Sequence, residues 1–195
     1  MKNLLEQGKR YGVIYADPPW SYDDKMCREK GGVDTHYATQ DLAWIKALPV
    51  GEIAAKDCAL FMWAVSPLLP EALEVIQAWG FRFKTIAFCW SKISNRNATL
   101  FNMGRWTMGN IELCLLATRG KPKRIRRDVK QLVNGQRGMH SAKPAKVRVM
   151  IRELMGDVPR IELFARREPA LFADASFEGW DVWGNESDGD GEGSR

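Results

Sequence analysis

Histidine is scarce in this chain: His36 and His140 are the only two in 195 residues. The four cysteines, at 27, 58, 89 and 114, form no C-x-x-C pair. Together these shortages remove the usual zinc-ligand spacings, so no metal is expected. Cys58, Cys89 and Cys114 stand in apolar runs and read as reduced core residues of a cytoplasmic protein. Long apolar runs are missing too. The most apolar stretch, CALFMWAV at 58–65, is followed at once by Ser66 and Pro67 and is too short to cross a bilayer. The opening MKNLLEQGKRYG has no apolar run, so a secretory leader is not expected. Internal repeats and interior linkers are absent, which predicts a single domain over residues 1–186. Residues 187–195, SDGDGEGSR, lack any apolar anchor and read as a disordered tail.

What is present is basic charge, unevenly spread. The net charge is +5, yet from Asp174 onward seven acidic residues face Arg195 alone. That segment is −6 and residues 1–173 carry +11. A basic body of this kind suits a polyanionic partner.

Strand-like and helix-like stretches alternate. YGVIYA (11–16), CALFMWAV (58–65), FRFKTIAFCW (81–90), IELCLLAT (111–118) and RIELFA (160–165) read as strands. Thr39 and Asp41 open a short helix that Pro49 stops. Ser66 is placed to cap a helix carrying Leu69, Ala72, Leu73 and Ile76 on one face, ended by Gly80. Lys143-Pro144 opens another, with Val147, Met150, Ile151 and Leu154 sharing a face and Gly156 at its end. GWDVWGN (179–185) reads as a last short element. The alternation predicts an α/β domain with a mostly parallel sheet and helices on both faces. Ligands of such sheets bind outside the carboxyl ends of the strands, within reach of Asp17, Glu112 and the end of RIELFAR.

The first strand ends abruptly in Asp17-Pro18-Pro19-Trp20. Two prolines stop a ladder because neither has an N–H to donate. A turn would also use Asp and Pro. Amine methylation gives each residue a task. An exocyclic adenine amine is a poor nucleophile, because its lone pair is delocalised into the ring. Acceptors on its N–H atoms counter that. The Asp17 carboxylate is one acceptor, the Pro18 carbonyl a second, and Trp20 offers a face on which a base can stack. Spacing alone leaves the turn and the catalytic reading level.

The motif does not stand alone. HYAT at 36–39, IKALPV at 45–50 and ALFMWAV at 59–65 follow it in order. GNIELCLLATRGKPKR at 109–124, HSAKPAKVRVMIREL at 140–154, RIELFAR at 160–166 and GWDVWGNE at 179–186 complete the set. This ordered set, over residues 11–186, resembles the MT-A70 family, the messenger-RNA N6-adenine methyltransferase type. The resemblance implies a Rossmann-like fold using S-adenosylmethionine, permuted so that the catalytic motif precedes the cofactor motif. It also implies the residue roles. Asp17 and Pro18 would hold the target amine, Pro19 and Trp20 would shape the base pocket, and Asp17 would also touch the cofactor's methionine end. Lys143 would pair with the cofactor carboxylate. Glu162, Leu163, Phe164 and Arg166 would line its adenosine and ribose, and Asn185 and Glu186 would bond the ribose hydroxyls. Taken singly, Lys143 reads as a solvated lysine at the start of an exposed helix and Glu162 as part of a half-buried strand.

RGKPKRIRRDVK, residues 119–130, holds seven basic residues in twelve. Charge runs are usually solvated faces. Here the run follows a strand expected to point at the active edge, so Arg119, Lys121, Lys123, Arg124, Arg126 and Arg127 are expected to contact phosphates. Arg96, Asn97, Arg105 and Trp106, in the long polar loop before IELCLLAT, are expected near the target nucleotide. The loop MCREKGGVD, framed by Tyr22, Asp23 and His36, reads either as a gate over the site or as plain surface.

The expectation is therefore a DNA N6-adenine methyltransferase of the small phage or bacterial type, cytoplasmic, with nucleic acid as partner and no membrane. The chain resembles a bare catalytic domain, which implies a short or relaxed sequence preference. RNA is the alternative substrate. A non-catalytic nucleic-acid-binding subunit is the alternative from another class, opposed by the intact Asp17-Pro18-Pro19-Trp20. Methylation of a protein amide is a third, and it leaves the basic body unexplained. A second copy of the chain is left open as a partner.

Overall fold

A computed structural model describes residues 1–20, 41–94, 96, 98–101, 106–136, 142–165 and 175–184. The gating-loop residues, His140, Ser141, Arg105, Asn97, Arg166, Asn185, Glu186 and the acidic tail lie outside the described residues.

Among the described residues, seven strands form one sheet: β1 (Tyr11–Ala16), β2 (Ala54–Ala64), β3 (Arg82–Ile93), β4 (Ile111–Arg119), β5 (Leu132–Gln136), β6 (Arg160–Leu163) and β7 (Trp180–Trp183). Their order across the sheet is β5-β3-β4-β2-β1-β6-β7. β1 pairs in parallel with β2 and β6, β6 with β7, and β3 with β5. Of these seven, β4 runs antiparallel to both its neighbours, β2 and β3.

The helices among the described residues are α1 (Lys2–Glu6), α2 (Leu42–Ala47), α3 (Val50–Ile53), α4 (Leu69–Ala78) and α5 (Lys146–Met155). They divide between the faces because successive strand residues point opposite ways. Ile14, Leu60 and Met62 pack against Ile45, Val50, Ile53, Ala72, Val75 and Ile76 from α2, α3 and α4. Val13, Tyr15, Phe61 and Trp63 pack against Val147, Ile151 and Met155 of α5. β1 is buried on both sides, which is why its sequence is a continuous apolar run and not an alternation.

Local signals explain several boundaries. Asp41 caps α2 by accepting from the Ala43 N–H, and Pro49 follows its end. Gly80 and Gly156 take positive φ where α4 and α5 stop. Ser66 does not cap: a 3-10 turn, Ser66–Leu68, precedes α4, and Leu68 occupies the cap position without a side-chain bond. β5 had no clear sequence signal, since Asn134 and Gly135 dilute it. It exists because Gly135 lets the chain close on Trp90, whose Nε1 donates to the Gly135 carbonyl at 3.0 Å.

The chain leaves β1 toward β2 over the α2–α4 face. It returns to the other side of β1, at β6, over the α5 face. The carboxyl end of β1 is therefore the point where the sheet's connections diverge. A crevice opens there in α/β sheets.

Candidate active site

Register places Ala16, Leu163 and Trp183 in one row across β1, β6 and β7. The residues that follow them, Asp17, Phe164 and Gly184, emerge side by side at the carboxyl edge. Asp17 N–H reaches back to the Leu163 carbonyl at 3.5 Å. Trp20 N–H donates to the Pro18 carbonyl at 2.8 Å, which fixes that oxygen's direction and leaves its second lone pair for another donor. Trp20 Nε1 donates to the Trp63 carbonyl at 3.1 Å, so the indole is tied to the end of β2.

Lys143 reaches this edge from the segment before α5. Its Nζ donates to Asp17 Oδ2 at 2.8 Å, lies 3.4 Å from Glu112 Oε2, and sits over the Trp63 ring at 5.6 Å. Glu112 Oε1 in turn lies 2.5 Å from Lys92 Nζ. Two carboxylates and two ammonium groups thus form one charge-balanced network at the ends of β1, β3 and β4. Burial pushes the Glu112 carboxyl up, but Lys143 and Lys92 outweigh it and hold the group below the usual glutamate range. Burial pushes the Lys143 ammonium down, but Asp17 and Glu112 outweigh it and hold the group above the usual lysine range. Lys143 is therefore a half-buried cation with one N–H left for a further acceptor.

Below the network, Trp63 Nε1 donates to the Tyr15 hydroxyl at 2.6 Å. Burial drives the Tyr15 phenol well above its ordinary pKa, with Glu162 and Cys114 adding to the shift. The phenol is therefore a neutral strut that holds the floor of the site.

The end of β6 has its own geometry. Phe164 takes φ 64°, left-handed backbone that a bulky side chain rarely adopts. Its ring packs between Trp44 and Trp183, at centroid distances of 6.4 and 5.4 Å. A Cβ on Gly184 would come 2.5 Å from the Ala165 carbonyl oxygen, so glycine alone lets the ends of β6 and β7 approach this closely. Glu162 is buried, and its carboxylate takes a two-pronged bond from Arg148: Nη2 donates to Oε1 at 2.9 Å and Nε to Oε2. Ser176 Oγ accepts from Arg148 Nη1 at 3.3 Å.

Asp17, Pro18, Trp20, Lys143, Leu163 and Phe164 are thus gathered at one edge. The basic run is not. β4 is antiparallel, so its first residues, Ile111 and Glu112, lie at the active edge. Its last, Arg119, pairs with Cys58 near the start of β2. The expectation that this strand points the basic run at the site is wrong for that reason. Arg119 Nη1 donates to the Gly51 carbonyl at 2.5 Å. Further along, Ile125 N–H bonds the Leu154 carbonyl at the end of α5, and Arg126 pairs with Asp128. The exposed lysines and arginines of 121–127 stand at the opposite end of the strands from Asp17. Arg96 and Trp106, in the loop between β3 and β4, are on the active side.

The sequence places Glu112 within reach of this edge but gives it no role there, and it does not single out Lys92 or Trp63 as site residues. Lys92 sat in what read as loop, and Trp63 looked like core.

An MT-A70 family model matches residues 11–186. The chain is 36% identical to Type II methyltransferase M.MunI of Mycoplasma sp, over 91% of this chain and 78% of that protein. It is 27% identical to the N(6)-adenine-specific methyltransferase METTL4 of Mus musculus, over 95% of this chain but 39% of that protein. With the N(6)-adenosine-methyltransferase MT-A70-like protein of Arabidopsis thaliana it shares 25%, spanning 24% of that longer protein. Since the matched span takes in the whole edge from Asp17 to Trp183, the chain belongs to the MT-A70 family of methyltransferases.

Proposed function

We propose that this protein transfers a methyl group from S-adenosylmethionine to the N6 amine of adenine in DNA. The carrying observation is the Asp17 carboxylate at the end of β1, held by Lys143 at 2.8 Å where the sheet's connections diverge. The fold reading is a Rossmann-like methyltransferase in permuted order, with the catalytic β1 first in the chain and the cofactor strands β6 and β7 last.

The residues present fit the cofactor chemically. Lys143 offers a half-buried ammonium to a carboxylate, and the Phe164 and Gly184 turns bring the ends of β6 and β7 together beside it. Leu163, Phe164, Arg166, Asn185 and Glu186 are the proposed adenosine and ribose contacts. Glu162 would contribute mainly by fixing β6, since Arg148 engages both its oxygens. When bound, the cofactor supplies an electrophilic methyl group on a sulfonium.

The chain's own work is alignment and acceptance of hydrogen bonds. Asp17 Oδ atoms and the second lone pair of the Pro18 carbonyl would each accept one N–H of the amine, turning its nitrogen lone pair out of the ring plane. Pro19 and Trp20 would bound the base. The amine proton is acidic only after methyl transfer, so water or Asp17 suffices to take it. Lys143 holds the Asp17 carboxylate in position for that task.

M.MunI, the similar bacterial methyltransferase, supports the choice of DNA. The basic strip at Lys121, Lys123, Arg124, Arg126 and Arg127 adds sequence-independent attraction for a polyanion away from the target base. Matched DNA and RNA oligonucleotides incubated with labelled S-adenosylmethionine test the reading. Label in N6-methyladenine from DNA is expected; label from RNA alone would move the substrate to RNA.

A further inference from the structure

Trp106 is 97% exposed, and Met108, Phe101 and Ile111 beside it in the chain are 61%, 55% and 44% exposed. A fully solvated tryptophan is unusual, because its ring buries more area than almost any other side chain. Exposed apolar side chains concentrated in one stretch of chain mark a binding surface. These lie in the loop that joins β3 to β4 and on the first residue of β4. The loop is pinned at both ends. Lys92 N–H bonds the Asn110 carbonyl at 3.0 Å, and Ser94 and Leu100 close a tight turn through the Ala98 and Lys92 carbonyls. Its far end runs through Ile111 directly into Glu112, whose carboxylate lies 3.4 Å from the ammonium that holds Asp17. The apolar stretch therefore stands on the catalytic edge, a few residues of chain from the proposed methyl-accepting site.

Charge selects the occupant. Lys92 is paired with Glu112, but from Ile93 to Ile111 the chain has Arg96 and Arg105 and not one carboxylate. A second copy of the chain would bring the same basic body against this loop. A polyanion with flat apolar faces, which is to say nucleic acid, complements both the charge and the indole.

We infer that Trp106 is a stacking wedge for duplex DNA, entering the base stack beside the target and holding the gap open while the adenine is turned out to Asp17. The inference rests on the reading of the chain as an adenine methyltransferase acting on DNA. Flipping a base costs stacking and pairing, and an aromatic side chain placed in the gap returns part of the stacking. Trp106 touches neither the amine nor the network at Asp17, so its effect belongs to the opening of the duplex and not to the transfer.

The test compares wild type, Trp106→Ala and Trp106→Phe on three substrates at saturating cofactor. The substrates are a fully paired duplex, the same duplex with an abasic site opposite the target adenine, and the single strand. Trp106→Ala is expected to slow methylation of the paired duplex about tenfold, the size of one lost base–aromatic stack. The abasic duplex and the single strand should be nearly unaffected, and Trp106→Phe should recover most of the loss. With 2-aminopurine at the target position, wild type should raise the fluorescence and Trp106→Ala should not. Equal losses on all three substrates, or none on the paired duplex, would overturn the wedge. So would a change of sedimenting mass in Trp106→Ala, which would assign the stretch to an interface between copies. If wild type methylates none of the three, the parent reading fails and the wedge with it.

Discussion

Lys143 Nζ stands 2.8 Å from Asp17 and 3.4 Å from Glu112, so one half-buried ammonium separates two carboxylates. Lys143→Met keeps most of the aliphatic stem and removes the charge. The two carboxylates are then left facing each other in a poorly solvated place. Unfolding in urea should show a loss of about 2 kcal/mol, between the values for an exposed and a fully buried ion pair. Methyl transfer should fall on the order of 100-fold, as for loss of one fixed electrostatic group. Wild-type stability in this variant would contradict the network.

Glu112 gives the network a pH signature. Its carboxyl is held low in the folded protein, so its contribution is fully present above the unfolded value of about 4.3. It is lost as pH falls from there through the folded value. Lys143 is held high, so its contribution is present below the ordinary lysine value and is lost only as alkaline pH passes the folded value. Between these limits the network adds no slope. Thermal unfolding of wild type and Glu112→Gln across the acid range should converge as pH drops below about 4. A constant gap between the two down to the lowest pH would remove Glu112 from the titrating groups.

Glu162 and Arg148 form a buried pair. Arg148→Ala leaves the Glu162 carboxylate without its two-pronged donor, and a loss of about 3–5 kcal/mol is expected in chemical unfolding. Adding Glu162→Gln should recover part of that loss. If Glu162→Gln alone weakens cofactor binding without changing stability, the carboxylate serves the cofactor and not the strand.

Gly184→Ala tests the close approach of β6 and β7. The added Cβ would meet the Ala165 carbonyl oxygen at 2.5 Å, so the backbone must shift. Raised KM for S-adenosylmethionine with little change in DNA affinity is the expected split.

Replacing Lys123, Arg124 and Arg127 together by alanine should weaken DNA binding and flatten its salt dependence. The log–log slope should shrink by about 0.9 for each phosphate that these side chains no longer neutralise. Turnover at saturating DNA should hold, since these residues stand at the other end of the strands from Asp17. A fall in that turnover would mean that DNA wraps to the far end.

Most of the architecture was legible because the strands are apolar runs with hard stops. Pro18 and Pro19 ended β1, Pro67 followed β2, and Gly156 closed α5. The direction of β4 was not legible. A polar stretch of some length joins antiparallel or parallel neighbours equally well, and only pairing with β2 and β3 decides. That single direction moved the basic run from the active edge to the opposite one. Asp17 and Lys143 could be named from their motifs, but what joins them is tertiary. Trp63, near the end of β2, lies on a strand that reads as core, and Glu112, near the start of β4, carries no local mark of its bond to Lys143.

The central claim is that Asp17 holds the adenine amine for methyl transfer. Labelled S-adenosylmethionine should be incubated with unmethylated duplex DNA and wild type or Asp17→Ala, and the digested nucleosides separated. The account predicts N6-methyladenine from wild type and none from a folded Asp17→Ala. Equal label from both proteins would contradict it, as would a folded wild type that leaves adenine unmethylated in DNA and RNA alike.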